Sequence, residues 1–161
     1  MPQPKNPLNA TLDRRWELLA GKAFRRKDLA DQLPSVDREL TLAVKAGTVR
    51  KAARGLYYVP RKTPFGEAPP SEEALVEKFL DDRHFLMFNP SCYNALGLGT
   101  TQLYNKTVVY NHKRHGKFDL AGFEFDFRDK PRFPSRKQVN REYLLVDMLN
   151  NLTDLAEDPE T

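Results

Sequence analysis

The chain has 161 residues, 30% of them charged and 40% hydrophobic, with ten Phe, six Tyr and a formal net charge of +4. That suffices for one ordinary domain or two small ones with a packed core. The apolar runs are too short for a membrane-spanning helix and the first twenty residues lack an apolar signal core. The single cysteine, Cys92, excludes an internal disulfide framework and fits a cytoplasmic location.

The charge is divided along the chain. Met1 to Lys62 hold 14 Lys and Arg against 6 Asp and Glu, while the remainder holds 12 against 16. Clustered positive charge is the footprint of a polyanion binder. The front of the chain is therefore expected to meet a different partner from the back.

In chain order, the three prolines of residues 1–8 predict a loose arm. Asn9 to Ala20 then read as a helix, with Asn9 or Thr11 as cap, Leu12, Trp16, Leu19 and Ala20 on one face, and Gly21 as its end. Arg25 to Leu33 read as a short second helix that buries Leu29, Ala30 and Leu33 and stops at Pro34. Ser35 can accept the orphan N–H groups of a third helix, Val36 to Ala46, whose inward stripe is Val36, Leu40, Ala43 and Val44 and whose end is Gly47. The stretch AGTVRKAARGLYYVPRK, residues 46–62, predicts a basic hairpin fastened to that helix end. Residues 61–74, with Pro64, Pro69 and Pro70, read as a linker.

The second half predicts a helix over Glu72 to Asp81, a buried strand at 84–88 and a helix over 90–99. The period then changes to two. A strand at 106–111 is followed by a hairpin over 116–127 that turns at Ala121–Gly122, with Phe123, Phe125 and Phe127 on one face. A final helix over 137–158 carries Val139, Tyr143, Leu145, Val146, Met148, Leu149, Leu152 and Leu155 as its apolar set. The expected fold class is α+β: a winged helix-turn-helix over 9–62 and a small α+β domain with an antiparallel sheet over 70–158.

Helix, helix, helix and basic hairpin within about sixty residues is the order of a winged helix-turn-helix, in which the third helix enters the major groove and the hairpin lies against flanking phosphates. On the solvent face of the third helix lie Asp37, Arg38, Thr41 and Lys45, with Ser35 at its start. Arg38 can pair bidentately with guanine, Thr41 can meet a thymine methyl or a phosphate, and Ser35 with the helix N-terminus can hold a phosphate. The wing adds Arg50, Lys51 and Arg54, and the second helix opens with Arg25, Arg26 and Lys27. Cations at a helix N-terminus oppose its dipole, and a nearby phosphate would reverse that cost. About six such contacts predict a slope of log K against log[salt] of roughly −5.

The run RGLYYVPR (54–61), after AVKAGTVRKA (43–52), resembles the N-terminal winged helix of the AbiEi family, antitoxins of type IV toxin–antitoxin systems. The matching positions are Leu29, Ser35, Leu40, Gly47, Arg54, Gly55, Leu56, Tyr57 and Pro60. The stretches at 96–111, 114–120 and 142–152 are similar to the second domain of that group, so the resemblance spans most of the chain. It implies a repressor of its own operon that binds inverted repeats in double-stranded operator DNA, needs no cofactor, and opposes a nucleotidyltransferase-like toxin without a stable complex. The chain stops soon after its last helix, where relatives often continue.

Other chemistries find less in the sequence. His112 and His115 form H-x-x-H, but Lys113, Arg114 and Lys117 would repel a metal ion. Glu124 and Asp126 share a strand face as in a nuclease, yet simple alternation explains them. Cys92 lacks a histidine partner at a useful spacing. The GLG of 97–99 lacks the preceding strand of a phosphate loop. No enzyme is expected. The alternatives are a protein-interaction module that uses the winged helix, or a DNA-targeted nuclease. The basic run 111–117 is read as a solvated loop or a further DNA contact.

Overall fold

The computed structural model describes residues 7–89, 96, 106–135 and 139–151, with side chains from Asp13 onward. The chain is α+β and divides into two compact units, Met1–Arg83 with Asp119–Phe123, and His84–Phe118 with Glu124–Thr161. Among the described residues no helix is long and apolar enough to cross a membrane.

The first unit runs α1 (Pro7–Leu18), β1 (Ala23–Arg25), α2 (Arg26–Ala30), α3 (Val36–Ala46), β2 (Arg50–Ala53), β3 (Leu56–Tyr58), β4 (Arg61–Thr63), β5 (Gly66–Ala68) and α4 (Glu72–Leu80). The spacing of Val36, Leu40 and Ala43 puts them on one face of α3. They are buried with Trp16, Phe24, Leu29, Leu33, Val49 and Val59. The Phe24 ring stacks between Trp16 at 6.0 Å and Tyr57 at 6.1 Å. Gly47 ends α3 in the left-handed conformation, φ 80°. Its N–H donates to the Val44 carbonyl, and that of Thr48 to the Ala43 carbonyl, both at 3.1 Å. These two bonds satisfy carbonyls that the helix end would otherwise leave open.

Several expectations need correction here. The second helix is five residues, Arg26–Ala30, rather than Arg25–Leu33: Arg25 belongs with Ala23 and Phe24 to a strand that pairs with β3 in an antiparallel sheet of order β1-β3-β2, and the helix ends at Asp31. A three-residue strand has too little periodicity to show in sequence. The expected linker is in part a hairpin, β4–β5, closed by a Thr63 hydroxyl bond to the Gly66 carbonyl at 2.7 Å, with Phe65 fully exposed at its tip. Val44 is 38% exposed rather than part of the core stripe. The compact division falls at residue 84, and α4 packs in the first unit with β1. Arg25 donates to the Lys78 carbonyl at 2.7 Å, and Lys78 pairs with Asp28 at 3.2 Å. Leu12's side chain lies outside those described.

The second unit holds β6 (Leu86–Phe88), β7 (Thr107–Asn111), β8 (Gly116–Leu120) as far as Phe118, β9 (Phe123–Asp129) from Glu124 and α5 (Arg141–Asn150), with strand order β6-β7-β9-β8. β7 pairs antiparallel with β6 but parallel with β9, so the sheet is mixed rather than wholly antiparallel. Phe125 and Phe127 are fully buried, whereas Phe123 is half-buried. The turn falls at Ala121–Gly122 as expected, with both residues at positive φ.

The final helix departs furthest from its reading. Leu145, Val146 and Leu149 are exposed, while Asp147 is buried beside Met148. Asp147 is tolerated there because Tyr110 Oη donates to its carboxylate at 2.7 and 2.8 Å. The expected helix over 90–99 lies outside the described residues apart from Leu96, which is buried, as do residues 137, 138 and 152–158 of the last helix.

Candidate nucleic-acid interface

The outward face of α3 is set by its buried one. With Val36, Leu40 and Ala43 inward, the 100° step per residue turns Arg38, Thr41, Leu42 and Lys45 toward solvent. All four are exposed. Arg38 and Lys45 make no hydrogen bond or ion pair with any described residue. Thr41 is less available, because its hydroxyl donates to the Asp37 carbonyl one turn back at 2.7 Å. Ser35 occupies the N-cap position with φ −136° and ψ 60°, and its side chain makes no capping bond. The expected Ser35 cap is therefore absent, and its hydroxyl is not engaged with the helix end.

The basic triplet at the start of α2 is turned to internal partners. Arg25 donates through Nε to the Lys78 carbonyl and through its terminal nitrogen to the Phe79 carbonyl, so it caps the end of α4. Arg26 forms a two-pronged bond with Asp37 at 2.5 and 2.7 Å. That bond holds the Asp37 carboxyl below the usual carboxylate range and raises Arg26. Lys27 pairs with Asp81. These neighbours also relieve the cost of cations at a helix start, without a phosphate.

The sheet register separates the wing's cations. In an antiparallel pair, directly opposed residues point to the same face. Lys51 lies opposite Tyr57, which lies opposite Phe24. Lys51 is therefore at the exposed edge of the row whose buried members pack on the core shared with α3. Arg50 lies opposite Tyr58, on the other face, and pairs with Glu67 of β5. Arg54 is exposed in the turn with Gly55, φ 73°, and has no partner among the described residues. The ten expected contact residues thus split. Arg38, Lys45, Lys51 and Arg54 have no counter-ion among the described residues. Arg25, Arg26, Lys27 and Arg50 are held by internal acceptors.

Tyr57 was not singled out in the sequence as a site residue. It stacks on Phe24, lies beside Lys51 in register, and is close enough to Arg26 to act on its charge. The only cue for it in the sequence is its place after Arg54-Gly55-Leu56. Glu67 was missed because its segment read as a linker, although Thr63-Pro64-Phe65-Gly66 is itself a turn signal.

Of the residues weighed as enzymatic, Asp126 is engaged by neighbouring cations. Asp126 accepts from Arg128 at 3.0 and 3.3 Å, with Lys106 at 4.0 Å. No group of three or more His, Cys, Asp or Glu among the described residues is placed to hold a metal ion. Ser91, Cys92 and residues 97–99 lie outside the described residues. The chain matches no protein-family model, no curated protein and no solved structure.

Proposed function

We propose that the chain is a sequence-specific DNA-binding regulator, in which α2, α3 and the β2–β3 hairpin act as a winged helix-turn-helix. The observation that carries the reading is the outward face of α3. Among the described residues Arg38 and Lys45 have no counter-ion there, and Lys51 and Arg54 have none on the hairpin that follows. Unpaired, exposed cations on a helix and on the strand pair after it suit a duplex backbone and a groove floor.

Within that class we read the chain as an AbiEi-like antitoxin of a type IV system, repressing its own operon in the cytoplasm and opposing a nucleotidyltransferase-like toxin. The support for this narrower reading is the resemblance of residues 43–61 and of the three later stretches to that family. The first experiment is fluorescence anisotropy with the chain's own upstream DNA across a salt series. Four unpaired cations give a slope of log K against log[salt] of about −4, shallower than the −5 of six contacts. Affinity unchanged between about 50 and 200 mM salt overturns the reading.

Leu42 favours a second reading. It is 51% exposed between Arg38 and Lys45, an apolar side chain on the face offered to a partner. A protein partner would use it as an anchor, whereas DNA would use it at most against a thymine methyl. Loss of a co-purifying protein in Leu42→Ala, with no DNA binding by the parent, would favour the interaction module.

A further inference from the structure

The segment 84–118 of the second unit holds four Lys and Arg, all three histidines of the chain, and no Asp or Glu. The fold gathers part of it into one exposed cluster. The imidazoles of His84 and His112 stack with ring centroids 5.0 Å apart and an interplanar angle of 16°. Phe133 meets both, at 4.9 Å from His84 and 4.7 Å from His112. Both histidines are exposed and Phe133 is half-buried. Three rings in mutual contact at a surface already hold one another, so stacking a further ring on them carries little ordering cost.

The loop bearing His112 is fixed from below. Asn111, 1% exposed, accepts the N–H groups of Lys113 at 2.8 Å and Arg114 at 2.7 Å, and donates to the Arg114 carbonyl at 3.0 Å. The Lys130 N–H donates to the Asn111 carbonyl at 2.9 Å, which brings the segment carrying Arg132 and Phe133 alongside. Lys113, Arg114 and His115 follow His112 in the chain and Arg132 precedes Phe133; these residues and Lys117 are all exposed. A fixed aromatic cluster with exposed cations in the loop that carries it, and Asp129 opposite Asn111 as an acidic neighbour, suits a single nucleic-acid strand: bases stack and phosphates pair. A duplex keeps its bases stacked on each other and would leave the rings unused.

We propose that this surface binds single-stranded nucleic acid, with an unpaired base stacking on the His84–His112–Phe133 cluster and adjacent phosphates on Lys113, Arg114 and Lys117. This site is distinct from α3 and the β2–β3 hairpin and does not depend on their role.

The test is fluorescence anisotropy of the full chain with a labelled mixed-sequence 12-nucleotide RNA and the matching duplex DNA. Single-strand binding should weaken about tenfold in His112→Ala and in Phe133→Ala. His112→Phe, which keeps a ring, should retain it. Lys113→Ala should reduce the single-strand salt slope by about 0.7. Arg38→Ala should leave single-strand binding unchanged, so failure of the α3 reading and of this one are separable. Circular dichroism verifies that each variant is folded. Because Phe133 is half-buried, a misfolded Phe133→Ala leaves the exposed His112→Ala and His112→Phe pair to decide. No single-strand binding at low salt overturns the proposal, and so does binding that His112→Ala leaves intact. Loss of duplex binding alone on Lys113→Ala would make the loop a backbone contact for duplex DNA, and overturns it equally.

Discussion

Asp37, one residue inside α3, clasps the Arg26 guanidinium at the start of α2 with both carboxylate oxygens, at 2.5 and 2.7 Å. Both groups are exposed, so the pair adds little to stability. Its importance is electrostatic: it sets a carboxylate beside Arg38 on the face proposed to meet DNA, and occupies a cation that phosphate would otherwise attract. Asp37→Asn should tighten duplex binding several-fold at low salt and steepen the salt slope by about one phosphate contact. The thermal midpoint should stay where it is. The pH dependence has a definite sign. Asp37's carboxyl is lowered by its bond to Arg26, so whatever stability the clasp contributes is present above the unfolded value and lost only as pH falls through the depressed one. Duplex affinity should rise in that same acid window. Unchanged affinity in Asp37→Asn would mean that this edge of α3 does not approach DNA.

Arg38 and Lys51 separate reading from gripping. Arg38→Ala should relax base preference at one operator position by about 1–3 kcal/mol, and Lys51→Ala should weaken all sequences alike with a slope shallower by about 0.9. Competition anisotropy against single-base operator variants measures both. Identical behaviour of the two substitutions would reject the division between a helix that reads and a hairpin that holds.

The parts of the fold legible in the sequence were those whose periodicity is local. Val36, Leu40 and Ala43 repeat at helical spacing over two turns, and Gly47 closes the helix, so α3 was recovered to its ends. Phe125 and Phe127 alternate with Asp126, and the hairpin turn followed at Ala121–Gly122. What failed depended on partners distant in the chain. β1 is a strand only because β3 supplies its hydrogen bonds. The burial of Asp147 in place of Leu145, Val146 and Leu149 depends on the Tyr110 hydroxyl 37 residues away, which helical spacing does not show. The candidate site shows the same limit. Basic residues could be counted, but the acceptors of Arg25, Lys27 and Arg50 lie in α4, just beyond it and in β5. Counting charge therefore overstated the cations available to a phosphate.

Ala121 offers a test of backbone strain. It sits at φ 56°, where a Cβ crowds the following carbonyl, and its N–H donates to the Ala52 carbonyl at 3.1 Å within the first unit. Ala121→Gly keeps that N–H and removes the Cβ. The native state should gain about 1 kcal/mol, offset in part by the freer unfolded chain. Chemical denaturation should show a higher midpoint with an unchanged slope. A lower midpoint would mean that the Ala121 methyl group packs productively enough to outweigh its strain.

Tyr110 and Asp147 carry the last expectation. Tyr110→Phe removes the hydroxyl that donates to both Asp147 oxygens and accepts from Asn151 Nδ2 at 3.3 Å. Asp147 is 6% exposed, so its charge would lose its best donor in a place water barely reaches. The contact from Tyr143 is long, at 3.5 Å. The cost should be about 1–3 kcal/mol. Alkaline pH provides an independent check. Burial first, and then Asp147, push the Tyr143 hydroxyl up to about 12 and raise Tyr110 further. A folded value raised above the unfolded one contributes stability that is complete below about pH 10 and lost as pH rises through the folded value. The parent should therefore lose stability steadily above pH 10, and Tyr110→Phe should lose less over the same range, since it has one fewer phenol to ionise. Parallel alkaline profiles for the two proteins would show that Tyr110 is not the group whose proton the fold retains.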